Sequence, residues 1–353
     1  MDYSKLIILK DLLGNKFFGS NFDLSYIIET KDWSISWDGR QITRALNRQN
    51  LLKARTATCI WGLKKQIVHY GSVNLLLAFG LGNQSNKYIL TWFHFVPEQR
   101  NDYIRQIQPR LSFVHTSCEQ TQNALIDFGI DPAKIKVIPL GVDLDIFTPL
   151  SEQTKKEIRT KLGLPPDRFI IGSFQKDGVG WGRGLEPKLI KGPDVLVEVL
   201  KILSGNYPIF VLLAGPARGY VKKALEQFSI PFLDLGNLPL TQMNWAYSVL
   251  DLYLITSRVE GGPKAILEAM ACGVPLVTTK VGMAPDIQKQ WLPELLMADI
   301  DNAAALADLC ARVFNNKAFA LQIIQKQQQT VQHFSWEEIA KAYFEQIYSK
   351  LLY

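Results

Sequence analysis

Two glutamates stand eight positions apart in the run 256–275, TSRVEGGPKAILEAMACGVP: Glu260 and Glu268. Gly261, Gly262 and Pro263 lie between them, followed by an apolar stretch with helical character. Proline suits the first position of a helix, because its missing N–H is not needed there and its φ is already helical. The N–H groups of Lys264, Ala265 and Ile266 then point out of the helix N-terminus, an end that carries positive charge and attracts anions. Gly261 and Gly262 let the backbone come close to a ligand. At 1.5 Å per residue, Glu268 falls on the order of 8 Å along the helix from Pro263. Gly273 and Pro275 end the helix. Two carboxylates therefore bracket an anion held at a helix tip. Sugar hydroxyls, phosphates and ribose hydroxyls follow one another in that way in a nucleotide-diphosphate-sugar.

Glu260-Gly261-Gly262-Pro263 and Glu268-Ala269-Met270-Ala271-Cys272-Gly273-Val274-Pro275 resemble the E-x7-E signature of retaining GT-B glycosyltransferases, family 4, the glycosyl transferases group 1. The resemblance implies an α/β chain of two Rossmann-like domains with parallel sheets facing across a cleft. The C-terminal domain would hold the nucleotide sugar and the N-terminal domain a glycan or lipid-linked acceptor. It gives Glu268 to the ribose hydroxyls and Glu260 to the donor-sugar hydroxyls. The backbone of Gly261, Gly262, Pro263, Lys264 and Ala265 would lie against the diphosphate. Lys191-Gly192 matches the Lys-Gly pair that neutralises the leaving diphosphate. His94, in TWFHF, matches a histidine near the reacting sugar carbon. The arginine expected after the first strand of the second domain is absent: Gly172-Ser173-Phe174-Gln175-Lys176 stands there. Ser173 and Lys176 are the donor-side positions in that phrase, and Lys176, Arg183 or Lys188 is left to supply the missing cation. Transfer with retention, in cell-surface polysaccharide or glycolipid synthesis, is the implied chemistry. A non-catalytic sugar-nucleotide-binding subunit and a nucleotide-sugar epimerase are the rival readings.

Other chemistries fit less well. The loop 178–184, GVGWGRG, misses the G-x-G-x-x-G register, since Arg183 and Leu185 stand where a third glycine is needed, so a Rossmann dehydrogenase is a poor fit. Asp143-Leu144-Asp145 spells the D-x-D of metal-dependent transferases, but it sits in a turn phrase where aspartate serves the backbone. No metal and no cofactor beyond the sugar nucleotide is expected. Four scattered cysteines without C-x-x-C spacing point to reduced thiols.

These groups need positioning by a chain of 353 residues, long enough for two domains. Alternating strand-like and helical runs imply mostly parallel sheets. In the first half a helix is expected over 4–18, a strand over 24–29, a loop over 32–39 and a helix over 40–53. Strands follow over 57–61, 66–68, 74–78, 88–95 and 111–116, then a helix over 120–128. The phrase VIPLGVDLDIFTP at 137–149 resembles the close of an N-terminal domain, which puts the boundaries at 1–149, 150–334 and 335–353. The second half reads as helices over 154–162 and 195–204, with strands over 169–173, 209–214, 231–235, 252–255 and 276–279. The terminal helix, 335–352, opens on a Ser335/Glu338 capping box and by resemblance crosses back to the N-terminal domain.

Between Gly39 and Pro97 there is no acidic residue, and Arg40, Arg44 and Arg48 recur every fourth position, on one face of a helix. Ile42, Ala45 and Leu46 then face the core. The arginines point to an anionic partner, such as a membrane surface. No stretch of about 18 uncharged apolar residues exists to span a bilayer, and the N-terminus lacks a signal-peptide layout. A cytoplasmic protein, peripheral at the inner face of the membrane, is the expectation. No nucleic-acid partner is expected.

Overall fold

The computed structural model describes residues 7–8, 11–12, 14–15, 21–30 and 34–352. The helix expected over 4–18 falls largely outside them. The chain divides into two compact units, Met1–Gly141 with His333–Tyr353, and Val142–Gln332.

The first unit opens with β1 (Leu24–Ile27), α1 (Ser34–Arg48), β2 (Ala54–Ala57), β3 (Ile67–Tyr70) and α2 (Val73–Phe79). It continues through β4 (Lys87–Thr91), α3 (Asn101–Ile107), β5 (Leu111–Thr116), α4 (Glu119–Asp127) and β6 (Ile135–Val137). The six strands form one sheet in the order β2-β1-β3-β4-β5-β6, and every pairing is parallel. β1 is buried along its whole length between two neighbours, with Leu24 opposite both Ala54 and Ile67. Such strands read as continuous apolar runs.

Two sequence expectations fail here for physical reasons. The loop expected over 32–39 gives way to α1, which starts at Ser34 and ends at Arg48, short of residue 53. Gly39 looked like a loop residue. Instead it marks close packing on β1: a Cβ there would sit 2.6 Å from Ile28 and 2.7 Å from Tyr26. The strand expected over 74–78 is the helix α2. A short apolar run cannot be told from a strand by periodicity. Ser72 decides it by accepting from the Leu75 N–H as N-cap, and Gly80 closes the other end with φ 61°. β2 lies earlier than 57–61, and β4 ends at Thr91, before the aromatic residues that follow. Ile42, Ala45 and Leu46 are buried as expected.

The second unit runs α5 (Glu152–Lys161), β7 (Phe169–Phe174), α6 (Pro193–Ser204), β8 (Ile209–Ala214), α7 (Gly219–Gln227), β9 (Phe232–Asp234) and α8 (Leu240–Ser248). It then adds β10 (Leu252–Ile255), α9 (Lys264–Ala271), β11 (Leu276–Thr279), α10 (Ala284–Gln290), β12 (Leu296–Ala298), α11 (Ala303–Asn315) and α12 (Lys317–Val331). Its six-stranded parallel sheet has the order β12-β11-β10-β7-β8-β9. The order reverses beside β7 and β10, where ligands of open α/β sheets bind beyond the strand C-termini. Leu196, Leu200, Val211, Leu213 and Leu254 are among its fully buried core. This unit begins at Val142, ahead of the expected break at Pro149. Phe147 packs edge-on against Tyr247 at 6.0 Å, and the Thr148 N–H donates to Asn244, which ties the phrase 142–149 to α8.

The chain then returns to the first unit with α13 (Trp336–Gln346). Ser335 caps it by accepting from the Glu338 N–H at 3.3 Å. Trp336 covers Gly141, where a Cβ would lie 2.5 Å from the indole. Beneath this segment sits a fully buried polar cluster. His69 Nδ1 lies 2.8 Å from Tyr348 Oη and its Nε2 2.8 Å from Thr91 Oγ1. Thr91 Oγ1 is 3.0 Å from His115 Nδ1, and Tyr343 Oη is 3.0 Å from the same ring. Burial, and secondarily His115, holds His69 well below its ordinary pKa. Burial pushes His115 down to about 4, against the opposing hydrogen bond to the Ile138 carbonyl.

An imidazole depressed in the folded state contributes stability that is complete above pH 6.5 and is lost as pH falls from there toward the folded value. For His115 the loss across that window is on the order of 3 kcal/mol. Thermal melting followed from pH 7.5 to 4.5 is expected to fall steeply in the wild type. It should fall less steeply in a His115→Gln variant, and equal slopes would remove the histidines from the account.

Candidate functional site

The loop after β10 and the turn before α6 are laced together by their backbones. The Arg258 and Val259 N–H groups donate to the Ile190 carbonyl at 2.9 and 3.1 Å, and Thr256 Oγ1 donates to the Gly192 carbonyl at 2.8 Å. Gly192 is left-handed at φ 60°, and a Cβ on it would stand 1.9 Å from the Thr256 carbonyl oxygen. Only glycine meets both conditions. Arg258 fastens the same junction. Its two Nη atoms donate to the two carboxylate oxygens of Asp194 at 2.8 and 2.6 Å, and its Nε donates to Asp301 at 2.7 Å. This fork is the strong geometry for an arginine–carboxylate pair, and it holds Asp194 below the usual carboxylate range.

The junction brings Lys191 and Glu260 together. Lys191 Nζ donates to Glu260 Oε1 at 2.5 Å, and Ser257 Oγ reaches the same oxygen at 3.0 Å. The side chains are 23% and 15% exposed, so the pair is more sheltered than a surface ion pair yet open to a ligand. The sequence reading gave these residues to separate parts of a ligand; the structure joins them across 69 positions.

Glu268 lies on α9, and the Tyr247 hydroxyl on α8 donates to its Oε2 at 2.7 Å. Burial first, and the Glu268 charge second, pushes the Tyr247 hydroxyl pKa well up, so it stays protonated as a donor. Phe174 and Tyr253 flank the Tyr247 ring at 5.0 Å each and fix it. Pro263 departs from expectation: it is the N-cap, with ψ 106°, and Lys264 is the first helical residue. The Ile266 N–H is also turned back, donating to the Pro263 carbonyl at 3.0 Å. No side chain caps the N-termini of α9 or α6. Neither Gly261 nor Gly262 takes a positive φ. Gly282 instead gives the close approach, since a Cβ there would meet the Gly261 carbonyl at 2.9 Å and Pro263 at 3.0 Å.

At the exit of β7, Ser173 is 1% exposed and its Oγ accepts from Arg218 Nη2 at 3.2 Å. It faces the interior, contrary to the donor-side position expected for it. Lys176 is partly exposed, with its amine 3.6 Å from the centroid of the Trp181 ring. Lys188 is held below its ordinary pKa by burial, then by Lys191 and Lys176, with Glu260 opposing. Lys188 thus lies within electrostatic reach of Lys176, Lys191 and Glu260. Arg183 is exposed.

In the first unit, His94 lies in the loop beyond the C-terminal end of β4 and is exposed. It lines a cavity of about 150 Å³ together with Ser72, Asn74, Trp92 and Asn101. Arg44 is exposed and Arg40 half-buried on α1, while Arg48 pairs with Glu337 at 3.6 Å. The expected arginine stripe is therefore partly neutralised within the unit. Asp143 Oδ1 accepts from the Asp145 and Ile146 N–H groups at 3.1 and 3.2 Å, a turn-forming role. Among the described residues, no three His, Cys, Asp or Glu side chains gather so as to hold a metal ion.

Tyr247, Arg258 and Asp194 were not singled out in the sequence. Their partners lie 21 and 64 positions away, beyond the reach of any local pattern.

Residues 184–330 match the family model described as glycosyl transferases group 1. The chain is similar to the D-inositol 3-phosphate glycosyltransferase of Xylanimonas cellulosilytica, 28% identical over 240 residues that cover 65% of this chain and 55% of that protein. It is likewise similar to the protein of that name from Jonesia denitrificans, 32% identical over 170 residues, covering 44% and 37% of the two chains. The matches cover between 37% and 61% of the length of these and the other curated relatives. Among solved structures, HepE of Anabaena in complex with UDP and glucose matches with a TM-score of 0.74 at 15% identity, covering 93% of this chain and 100% of that one. Through residues 184–330 the chain is similar to the glycosyl transferases group 1, and its two parallel-sheet units have the GT-B fold.

Proposed function

We propose that this protein is a retaining glycosyltransferase that moves a sugar, a hexose first among candidates, from a nucleotide-diphosphate-sugar to a glycan or lipid-linked acceptor in cell-surface polysaccharide or glycolipid synthesis. The observation that carries the reading is the Lys191–Glu260 pair beside two helix N-termini without side-chain caps, at the switch point of the second sheet. HepE, of the same fold, was solved with UDP-glucose, which supports a UDP-hexose as the first donor to try.

Glu268, with one oxygen taken by Tyr247, turns toward the ribose hydroxyls. An arriving diphosphate competes with Glu260 for the Lys191 amine and releases that carboxylate to the donor-sugar hydroxyls. As the glycosidic bond breaks, charge grows on the departing phosphate. Lys191 and the backbone N–H groups at 264–265 are fixed in advance to meet it, the largest electrostatic contribution in such chemistry. Attack comes from the face of departure, and the leaving phosphate helps to take the acceptor proton. The first unit takes the acceptor, with the His94 cavity as its candidate seat, where the imidazole donates a hydrogen bond.

Replacing Glu268 by Ala is expected to weaken UDP-sugar binding by about 10- to 100-fold, as for loss of a hydrogen bond to a charged group. Lys191→Ala should lower turnover by about 100-fold or more. Titration calorimetry and initial rates check the two separately. Binding without transfer or hydrolysis in the wild type would favour the non-catalytic subunit.

Lysines and helix termini supply the positive charge that a metal would bring, and Asp143 is committed to its turn. Activity is therefore expected to survive excess EDTA. Loss of activity restored by manganese or magnesium would overturn the metal-free reading.

A membrane-borne acceptor accords with the acid-free stretch 39–97 and with Arg40, Arg44 and Arg48 on α1. The Arg48–Glu337 pair is exposed on both sides and contributes under about 1 kcal/mol, so an anionic surface can displace it. Three arginines at such a surface are each worth about 1 kcal/mol. More protein should sediment with anionic than with neutral vesicles, less so in 1 M salt, where the screening length shrinks to about 3 Å. A triple Arg→Ser variant that sediments like the wild type would leave a solvated basic face.

A further inference from the structure

Arg218 is 2% exposed and Asp177 wholly buried, and neither enters the proposed chemistry. Arg218 Nη1 donates to the carbonyls of Ser173, Gln175 and Ala214 at 2.6, 3.0 and 3.1 Å. Its Nη2 donates to Ser173 Oγ and lies 3.1 Å from Asp177 Oδ2. One guanidinium thus gathers the ends of β7 and β8. A buried pair of this kind is weak evidence for stability, because desolvation offsets its attraction. The ionised Asp177 is disfavoured here: burial pushes its carboxyl pKa up to about 6 despite Arg218. Its burial beside Arg218 calls for another account.

The contacts of Gln175 supply one. Its carbonyl is held by Arg218, and its side-chain Nε2 donates to the Lys191 carbonyl at 3.1 Å. Its Oε1 is 3.4 Å from Ser257 Oγ, which in turn reaches Glu260. Arg218 is therefore two joints from the Lys191–Glu260 pair. Asp177 provides a second route. Its carbonyl accepts from the Lys188 N–H at 2.7 Å, and Val179 N–H donates to the Glu186 carbonyl at 2.9 Å, closing the loop 177–188. The loop is seated on the turn that carries Arg218. The Gly219 and Tyr220 N–H groups donate to the carbonyls of Arg183 and Gly184, and a Cβ on Gly184 would lie 2.1 Å from the Ala217 carbonyl oxygen. Lys176 lies between Gln175 and Asp177, and Lys188 at the far end of the loop.

We infer that Arg218 and Asp177 are a positioning pair that aims the amines of Lys176, Lys188 and Lys191 at the diphosphate of the donor, so that the chain binds the diphosphate through lysines while its arginine is spent on scaffolding. The inference rests on the proposed function. It accounts for the missing arginine after β7: the guanidinium near that strand comes from the N-terminal turn of α7 and faces inward.

Neither Arg218 nor Asp177 takes part in the hydrogen bond by which Tyr247 holds Glu268. The test therefore compares binding of UDP, GDP and ADP with binding of uridine, guanosine and adenosine to the full chain by titration calorimetry. Wild type is set against Arg218→Lys, which keeps the charge and loses the fork, and Gln175→Ala, which removes the joint without a buried charge. For the diphosphate that the wild type prefers, affinity is expected to fall about tenfold or more in both variants, with that of the matching nucleoside unchanged. Equal diphosphate affinity in Gln175→Ala and wild type overturns the positioning role, and this variant decides the matter if Arg218→Lys fails to fold. Parallel loss of nucleoside and diphosphate binding overturns it too, since general loosening of the unit would do that. A wild type that binds no nucleoside diphosphate sinks the glycosyltransferase reading itself, which the variants would leave intact.

Discussion

Gly192 touches the backbone of Thr256 so closely that a single added carbon would collide with the carbonyl oxygen. Much of the second unit's chemistry depends on that approach. It lets the turn before α6 and the loop after β10 share hydrogen bonds at Ile190 and Gly192. Two chain segments far apart in sequence then behave as one rigid ledge, with the Arg258 fork as its outer fastening. Lys191 and Glu260 occupy neighbouring positions on the ledge, and their ion pair follows from the backbone contact beneath it. Long side chains on mobile loops would lose the gain of pairing to entropy; here the ordering is supplied by backbone hydrogen bonds.

The ledge also governs charge. Lys188 is held below its ordinary pKa by burial first and then by the charges of Lys191 and Lys176, with Glu260 opposing. Amines held together in this way are stabilised by an incoming anion, and a diphosphate relieves more repulsion than a monoanion would. The cost is met by burial elsewhere: α6 is packed with apolar side chains along its inner face, and the strands beneath are fully covered. A flexible loop could not keep such charges in register.

What the sequence disclosed follows from the range of each interaction. Strands such as β8 and β10 are legible as uninterrupted apolar runs, and the observed limits of β5, β8, β10 and β11 agree with the expected ones. The Glu260–Glu268 spacing and the Lys191-Gly192 pair are local phrases, and the structure brings Lys191 and Glu260 together beside the strands of one sheet. Elements governed by a distant neighbour were misread. Gly39 signals contact with β1 rather than a break, and α2 is fixed by a single serine cap on an otherwise ambiguous apolar run. Ser173 was given to the ligand because nothing near it in sequence announces Arg218, 45 residues away.

The Tyr247 ring is held among Phe174 and Tyr253, so its hydroxyl meets Glu268 in a fixed direction. The hydroxyl donor engages one carboxylate oxygen of Glu268 and so fixes the direction in which the group presents its acceptors. The E-x7-E spacing sets where this carboxylate lies along α9. The aromatic cluster of the neighbouring strands and helix sets where it points, so a chain with the same spacing but without that cluster would have the motif and lack the aim.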